Sequence, residues 1–273
     1  MSSERINSDT SSRGAAWLAA LTDNAAPLAG GPASVRVVDG LLADQRCRYI
    51  AVLPDESNAY PRARAGEVGL IEGWALAKAV HEVIDADRAT HKRAIVAVVD
   101  VSSQAYGRRE EAFGIHEALA GAAGAYAQAR QAGHAVIALI VGKAMSGAFL
   151  AHGYQANRII ALNDAGVMVH AMGKAAAARV TMRSVDDLER LAADVPPMAY
   201  DIANFATLGL LWKLVDVSDA DRPRDADVNV ARRALVAALD SIRSDPTVDL
   251  RTRLGGPNRS ASSVVREKLL AQW

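Results

Sequence analysis

The stretch HAVIALIVGKAMSGAFLAHG, His134 to Gly153, carries the pattern from which the fold is read. Val136 to Val141 is an unbroken apolar run of strand length, and it passes through Gly142 and Ser146-Gly147 into an alanine-rich helical segment. A strand, a glycine turn and a helix start make a place for an anion. The first amide N–H groups of a helix have no partner within it and carry the positive end of its dipole.

Working outward, Ala94 to Val99 is a second continuous apolar strand, ending at Asp100 and followed by a polar loop from Val101 to Gly107. Such runs fit a sheet buried on both faces. Glu110 to Ala132 reads as one alanine-rich helix that returns to the opening strand through Gly133-His134. Upstream, Glu67 to Asp87 has Leu70, Trp74, Ala77, His81 and Ile84 at helical spacing, which assigns Trp74 to the core. Two earlier strand-like runs, Ser34 to Val38 and Tyr49 to Leu53, precede it; the second ends at Pro54. Alternating strands and helices imply an α/β layout with parallel pairing.

At the amino end, residues 1 to about 13 are polar and serine-rich and are expected to be disordered. Ala15 to Leu21 reads as a short helix before the loop Asn24 to Pro32, so residues 1–33 are expected to form a docking arm. Downstream, Arg158 to Leu162 and Val167 to His170 read as strands around an Asn163-to-Gly166 turn. Helices are expected over Lys174 to Val180, Val185 to Ala193 and Tyr200 to Leu208, with Pro196-Pro197 as a break. The Leu208 to Val217 run leads back to the core, and Ser218 to Asp225 links to helices over Val228 to Ile242 and Ser262 to Gln272. Residues 34–273 thus form one domain.

Composition excludes several classes. The chain balances 31 basic against 31 acidic side chains, which gives no general attraction to nucleic acid. Cys47 is the only cysteine, so there is no intramolecular disulfide or cysteine-built zinc site, and it reads as a small buried strand residue. No apolar run approaches the roughly 20 residues of a membrane span, and the amino end lacks a signal-peptide core, so the cytoplasm is the expected location.

The chemistry gathers at two loops, Ser103 to Gly107 and Gly142 to Gly147, which follow two strands. If those strands are adjacent and parallel, both loops open into the crevice at their carboxyl ends, where ligands of such sheets bind. Backbone donors at Ala105 and Gly147 would then form an oxyanion hole. Losing one donor of such a hole costs about 3 kcal/mol of transition-state stabilisation, which makes a developing enolate or tetrahedral oxyanion the expected guest.

The stretch DVSSQAYGRREEAFGIHEALAGAAGAYAQARQAGHAVIALIVGKAMSGAFLAHG resembles the carboxyl-terminal, alpha-type half of acyl-CoA carboxyltransferases of the crotonase superfamily, and so implies the crotonase-like ββα-superhelix fold. Four blocks in order, PRARAGEVGLIEGWALAKAV, GKAMSGAFLAHGYQANRII, VMVHAMGKAAAARVT and VPPMAYDIANFATLGLL, resemble the gamma subunit of biotin-independent malonate decarboxylases, within a match from about Ser34 to Val217. That resemblance implies a beta-type partner subunit and an acyl carrier protein. The substrate it implies is malonyl held as a thioester on a phosphopantetheine-type arm or coenzyme A, decarboxylated to the acetyl thioester without metal, biotin or another directly bound cofactor.

Carried onto this chain, the expected catalytic residues are Gln104, Ala105, Ser146, Gly147 and His170. Tyr106, Gly107, Gly142, Lys143, Met145 and Lys174 are expected to bind substrate. Ser146 and His170 would hydrogen-bond the malonyl carboxylate or deliver a proton to the carbanion; the structural alternative is a helix cap and a satisfied strand-end histidine. Related enoyl-CoA hydratases carry a catalytic glutamate three residues after the oxyanion glycine. Here that position is Leu150, which argues against hydration.

A similarity to Clp-type serine proteases places Ser146 and His170 as a nucleophile–base pair, with Asp216 or Asp219 as orienting acids. An alpha-type biotin-dependent carboxyltransferase and a non-catalytic scaffold subunit also remain open. Arg62, Arg64, Arg108, Arg109 and Arg179 are candidate anion contacts, while Glu110 and Glu111 read as a solvated helix face. His81, His91, His116, His134 and His152 lack metal-ligand spacing and are assigned to the surface or to caps.

Overall fold

The computed structural model describes residues 12–245, 247 and 249–273. The disorder expected over most of residues 1 to 13 lies outside the described residues. Strands β1 (Val35–Leu42) and β2 (Gln45–Val52) form an antiparallel hairpin through Ala43 and Asp44, both at positive φ. β2 then pairs in parallel with β3 (Ala94–Val101), β3 with β4 (Val136–Met145), and β4 with β5 (Arg158–Leu162). β7 (Lys213–Val215) closes the far edge beside β5, so the Leu208 to Val217 run returns to the core as a strand. The sheet order is β1-β2-β3-β4-β5-β7.

β4 has two partners along its length. Ile137 to Ile140 pair with β5, whereas Lys143 to Met145 pair in parallel with β6 (Met168–His170). The expected glycine turn at Gly142 therefore does not exist: the strand runs straight through it to Met145. Helix α5 (Ser146–Ala151) starts at the next residue.

One helical layer contains α2 (Leu70–Ala86) and α4 (Ile115–Gln131), packed on each other; another contains α1 (Arg13–Leu21) and α9 (Asp225–Arg243). Helix α1 is part of the core, with Trp17, Leu18 and Leu21 almost wholly buried and Trp17 Nε1 donating to Ala220 O. An arm assignment for these residues is thereby corrected; a helix this apolar is retained by burying that face against the sheet. The expected helix from Glu110 to Ala132 is two, α3 (Arg108–Ala112) and α4, separated at Gly114 in the left-handed conformation. Helices α6 (Lys174–Val180), α7 (Val185–Asp194), α8 (Ile202–Ala206) and α10 (Ser260–Leu270) complete the chain. None of the described helices is long and apolar enough to cross a membrane.

Other side chains depart from expectation. Trp74 is 53% exposed, its ring over α4 at Gly121, because the buried stripe of α2 runs through Glu72, Leu76, Val80 and Val83 instead. Glu110 is buried against Arg62 rather than solvated. Cys47 is buried in β2 as expected.

Candidate active site

The parallel register β3–β4–β6 brings the loop after β3 and the start of α5 to one end of the sheet. Met145 lies opposite His170, so Ser146 leaves β4 directly beside the end of β6. Ser146 has φ 57°, a left-handed value that costs an L-residue about 1–2 kcal/mol. This abrupt strand-to-helix turn leaves the side chain half-buried and without a hydrogen bond among the described residues. Strained residues of this kind are concentrated at functional sites.

Gly147 N–H donates to Gln104 Oε1 at 2.9 Å, linking the two loops. A Cβ on Gly147 would stand 2.0 Å from that oxygen, so the close approach requires glycine. The second expected donor is not available. Ala105 N–H donates to Val68 O at 2.9 Å, in a parallel bridge where Val68 N–H also donates to Ser103 O. The reason lies in a buried strut: Glu72, wholly buried, accepts from Ser34 Oγ, Asn58 Nδ2 and Gly69 N, pinning the segment before α2 against the 103–105 loop. Ala105 is buried behind it.

His170 is half-buried, and burial lowers its pKa, favouring the neutral imidazole. Its Nδ1 lies 2.9 Å from Met172 O and accepts from, or sits 3.1 Å beside, Met172 N. Nε2 has no partner among the described residues. The ring stacks on Tyr200 with centroids 3.9 Å apart and planes 13° apart. Ser146 and His170 are neighbours by register, but no hydrogen bond joins them.

Neither expected orienting acid reaches His170: Asp216 accepts from Asn163, and Asp219 accepts from the Asp221 and Arg222 amides. A Ser-His-Asp arrangement is absent among the described residues. His170 is oriented by backbone and by an aromatic face instead.

The residues expected to bind substrate divide into two sets. Gly142 is a buried strand residue beneath Asp100, whose Oδ1 also accepts Lys143 N–H while Oδ2 accepts Gly14 N–H. Met145 is buried in the same strand. Gly142 therefore sits at the junction of α1, β3 and β4, and Met145 lies where β4 pairs with β6. Tyr106 is 53% exposed beside Gly107, the residue before α3, and the Lys143 side chain is exposed. Lys174 Nζ pairs with Glu189 at 2.6 Å and stands 5.5 Å from the Tyr200 ring centroid, on the wall of a 350 Å³ cavity also lined by Met168 and Asn204.

Of the basic candidates, Arg62 lies beside Gly107 in the loop after β3. Arg109 stacks over Tyr60 and Phe113, Arg62 faces Glu110 and Arg64 donates to Asn58 O, while Arg108 and Arg179 are exposed. The histidine expectation fails twice: His134 and His152 are buried. His152 Nε2 donates to Val98 O and Nδ1 accepts from Tyr126 OH, and burial lowers its pKa to about 4. No group of side chains suited to a metal ion occurs among the described residues.

Sequence reasoning missed Tyr200, read only as a helix start, and Met172. Their signal is tertiary: Val169 N–H donates to Tyr200 O and Met168 bridges Asp201, which sets Tyr200 beside β6.

A family model for the malonate decarboxylase gamma subunit, MdcE, matches residues 63–273. A chain of the Pseudomonas malonate decarboxylase hetero-tetramer solved with coenzyme A superposes with a TM-score of 0.92 at 62% identity, covering 96% of this chain and 100% of that one. A chain of the Pseudomonas MdcD-MdcE hetero-dimer gives a TM-score of 0.89 at 59% identity, covering 96% and 99%. The malonyl-S-ACP:biotin-protein carboxyltransferase MADD of Malonomonas rubra is 32% identical over 252 residues, 88% of this chain and 82% of that protein. Transcarboxylase 12S, at 18% identity and a TM-score of 0.64 over 85% of this chain and 41% of that one, shares the fold.

Proposed function

The chain belongs to the malonate decarboxylase gamma-subunit family, and from that premise we propose that its β4–α5 turn holds the enolate formed when a malonyl thioester loses carbon dioxide. The observation that carries this reading is the Gly147 amide, aimed at an oxygen acceptor beside the strained Ser146 and the end of β6. An enolate oxygen replaces the Gln104 oxygen on that amide. The bond between the malonyl carboxylate carbon and the α-carbon breaks, and its electron pair moves into the thioester carbonyl. Because the charge on that oxygen develops only along the reaction, a fixed amide donor stabilises the transition state more than the ground state.

His170, held at Nδ1 by donating to Met172 O, acts as a proton relay: Nε2 takes up a proton from solvent and gives it to the α-carbon, which yields the acetyl thioester and returns the ring to its neutral form. The half-buried Ser146 hydroxyl, which has no hydrogen bond among the described residues, hydrogen-bonds the malonyl carboxylate before it departs. Tyr106, Gly107, Lys143 and Lys174 line the approach. With the Ala105 amide engaged by Val68 O, a beta-type partner subunit supplies the rest of the site, and the thioester arrives on an acyl carrier protein or coenzyme A. The solved Pseudomonas hetero-dimer and hetero-tetramer support a shared assembly.

The test is to purify the chain with its beta-type subunit and measure carbon dioxide release from malonyl thioester on carrier protein. Release by the complex but not by either subunit alone is expected; a complex that releases none overturns the reading. Similarity to MADD supports a second reading, carboxyl transfer to a biotin protein. Appearance of the label from malonyl carboxylate on added biotin protein, instead of as carbon dioxide, would select it.

A further inference from the structure

We infer that Tyr200 is a positioning residue for His170, fixing the plane of its imidazole through the ring and its Nδ1 partner through the hydroxyl. The inference rests on the reading above that His170 acts on the substrate. Three contacts converge. The two rings stack at 3.9 Å and 13°, close enough that the imidazole cannot turn about its χ2 axis without leaving the tyrosine face. Tyr200 OH donates to Met172 O at 2.8 Å, and that same carbonyl lies 2.9 Å from His170 Nδ1. A carbonyl oxygen has two lone pairs, so it can accept from both rings at once. Fixing the carbonyl fixes the histidine.

The tyrosine itself has little freedom. Its backbone oxygen accepts from Val169, one residue before His170, and the next residue, Asp201, bridges Met168. The two rings thus stand on paired extended segments. Around them, the charged groups on the packed elements are Lys174, which stands over the Tyr200 ring and pairs with Glu189, and Asp201, which is engaged in capping α8 at Asn204. Among the described residues no carboxylate contacts the imidazole. The aromatic face and the Met172 backbone therefore do for this histidine what an orienting carboxylate does in a catalytic triad.

The hydroxyl and the ring can be separated by substitution in the assembled complex with the beta-type subunit, with malonyl thioester on carrier protein as substrate. Tyr200→Phe keeps the stack and loses the tether on Met172 O, and is expected to lower kcat about fivefold, the worth of one net hydrogen bond. Tyr200→Leu removes both and is expected to lower kcat by roughly ten- to a hundredfold, as for a misplaced catalytic group. KM is expected to stay unchanged in both.

In a His170→Ala background neither substitution should reduce kcat further, and ring 15N shifts of His170 should move from one tautomer toward a mixture in Tyr200→Leu. Wild-type kcat in Tyr200→Leu with a slow His170→Ala overturns the inference alone. Wild-type kcat in His170→Ala overturns the reading beneath it. An equal loss in both backgrounds makes Tyr200 merely structural and also overturns the inference. If Tyr200→Leu fails to assemble, Tyr200→Phe and its 15N spectrum decide the matter by the same criteria.

Discussion

The Gly147 amide donates to the Gln104 side-chain oxygen at 2.9 Å, across 43 residues of sequence. The resting site thus carries its own acceptor on the amide proposed above to hold the enolate. A neutral amide oxygen is a weaker acceptor than an enolate, since hydrogen bonds to ionised groups are about twice as strong. Gln104 consequently competes with the ground-state thioester carbonyl and loses to the enolate.

Removing that competitor, as in Gln104→Ala, frees the amide for substrate and transition state alike. Steady-state kinetics of the assembled complex should show KM lowered about fivefold with kcat unchanged, the worth of one net hydrogen bond. A fall in kcat at constant KM would instead make Gln104 a participant in the chemistry.

Ser146 is held in a left-handed conformation that glycine adopts without strain. Ser146→Gly should therefore be more stable than Ser146→Ala by about 1 kcal/mol in urea denaturation. Both variants lack the hydroxyl, so both should decarboxylate malonyl thioester equally slowly. Stability and activity would then separate at one residue.

Gly142 sits in β4 where a Cβ would lie 2.2 Å from Asp100 Oδ1. Gly142→Ala must push that carboxylate away from the Lys143 and Gly14 amides that it accepts from. A loss of about 1–3 kcal/mol is expected, as for other overpacked sites, read as a lower denaturation midpoint with an unchanged m-value.

His152 is wholly buried with its pKa lowered from 6.5 to about 4. Above pH 6.5 it is neutral whether the chain is folded or unfolded, and its contribution is complete. As pH falls from 6.5 towards 4, the unfolded chain binds a proton that the native one does not, so stability drops, by roughly 3 kcal/mol at pH 4. His134, also lowered by burial, adds in the same direction. Denaturation midpoints between pH 7 and pH 4.5 should fall in the native sequence and fall less in His152→Gln.

The central strands were legible because strands buried on both faces are apolar at every position, which leaves a local mark in Ala94 to Val99 and Val136 to Val141. The β1–β2 hairpin left a weaker one: its turn uses Ala43 and Asp44 at positive φ, without the glycine or asparagine that usually announces such turns. Trp74 was misplaced for a related reason. Helical spacing repeats on every face of α2, and only the packing of α4 selects which face is covered.

By itself, then, the sequence determined the α/β layering, the strand-to-helix junction at Ser146-Gly147 and the absence of an acid at Leu150, because each is written in consecutive residues. Tertiary structure alone decided that Ala105 N–H belongs to Val68, that Gln104 occupies Gly147 and that Tyr200 stacks on His170. Each of those depends on strand register and on a buried strut such as Glu72, and a hydrogen bond between distant residues is set by the position of both ends rather than by the pattern around either.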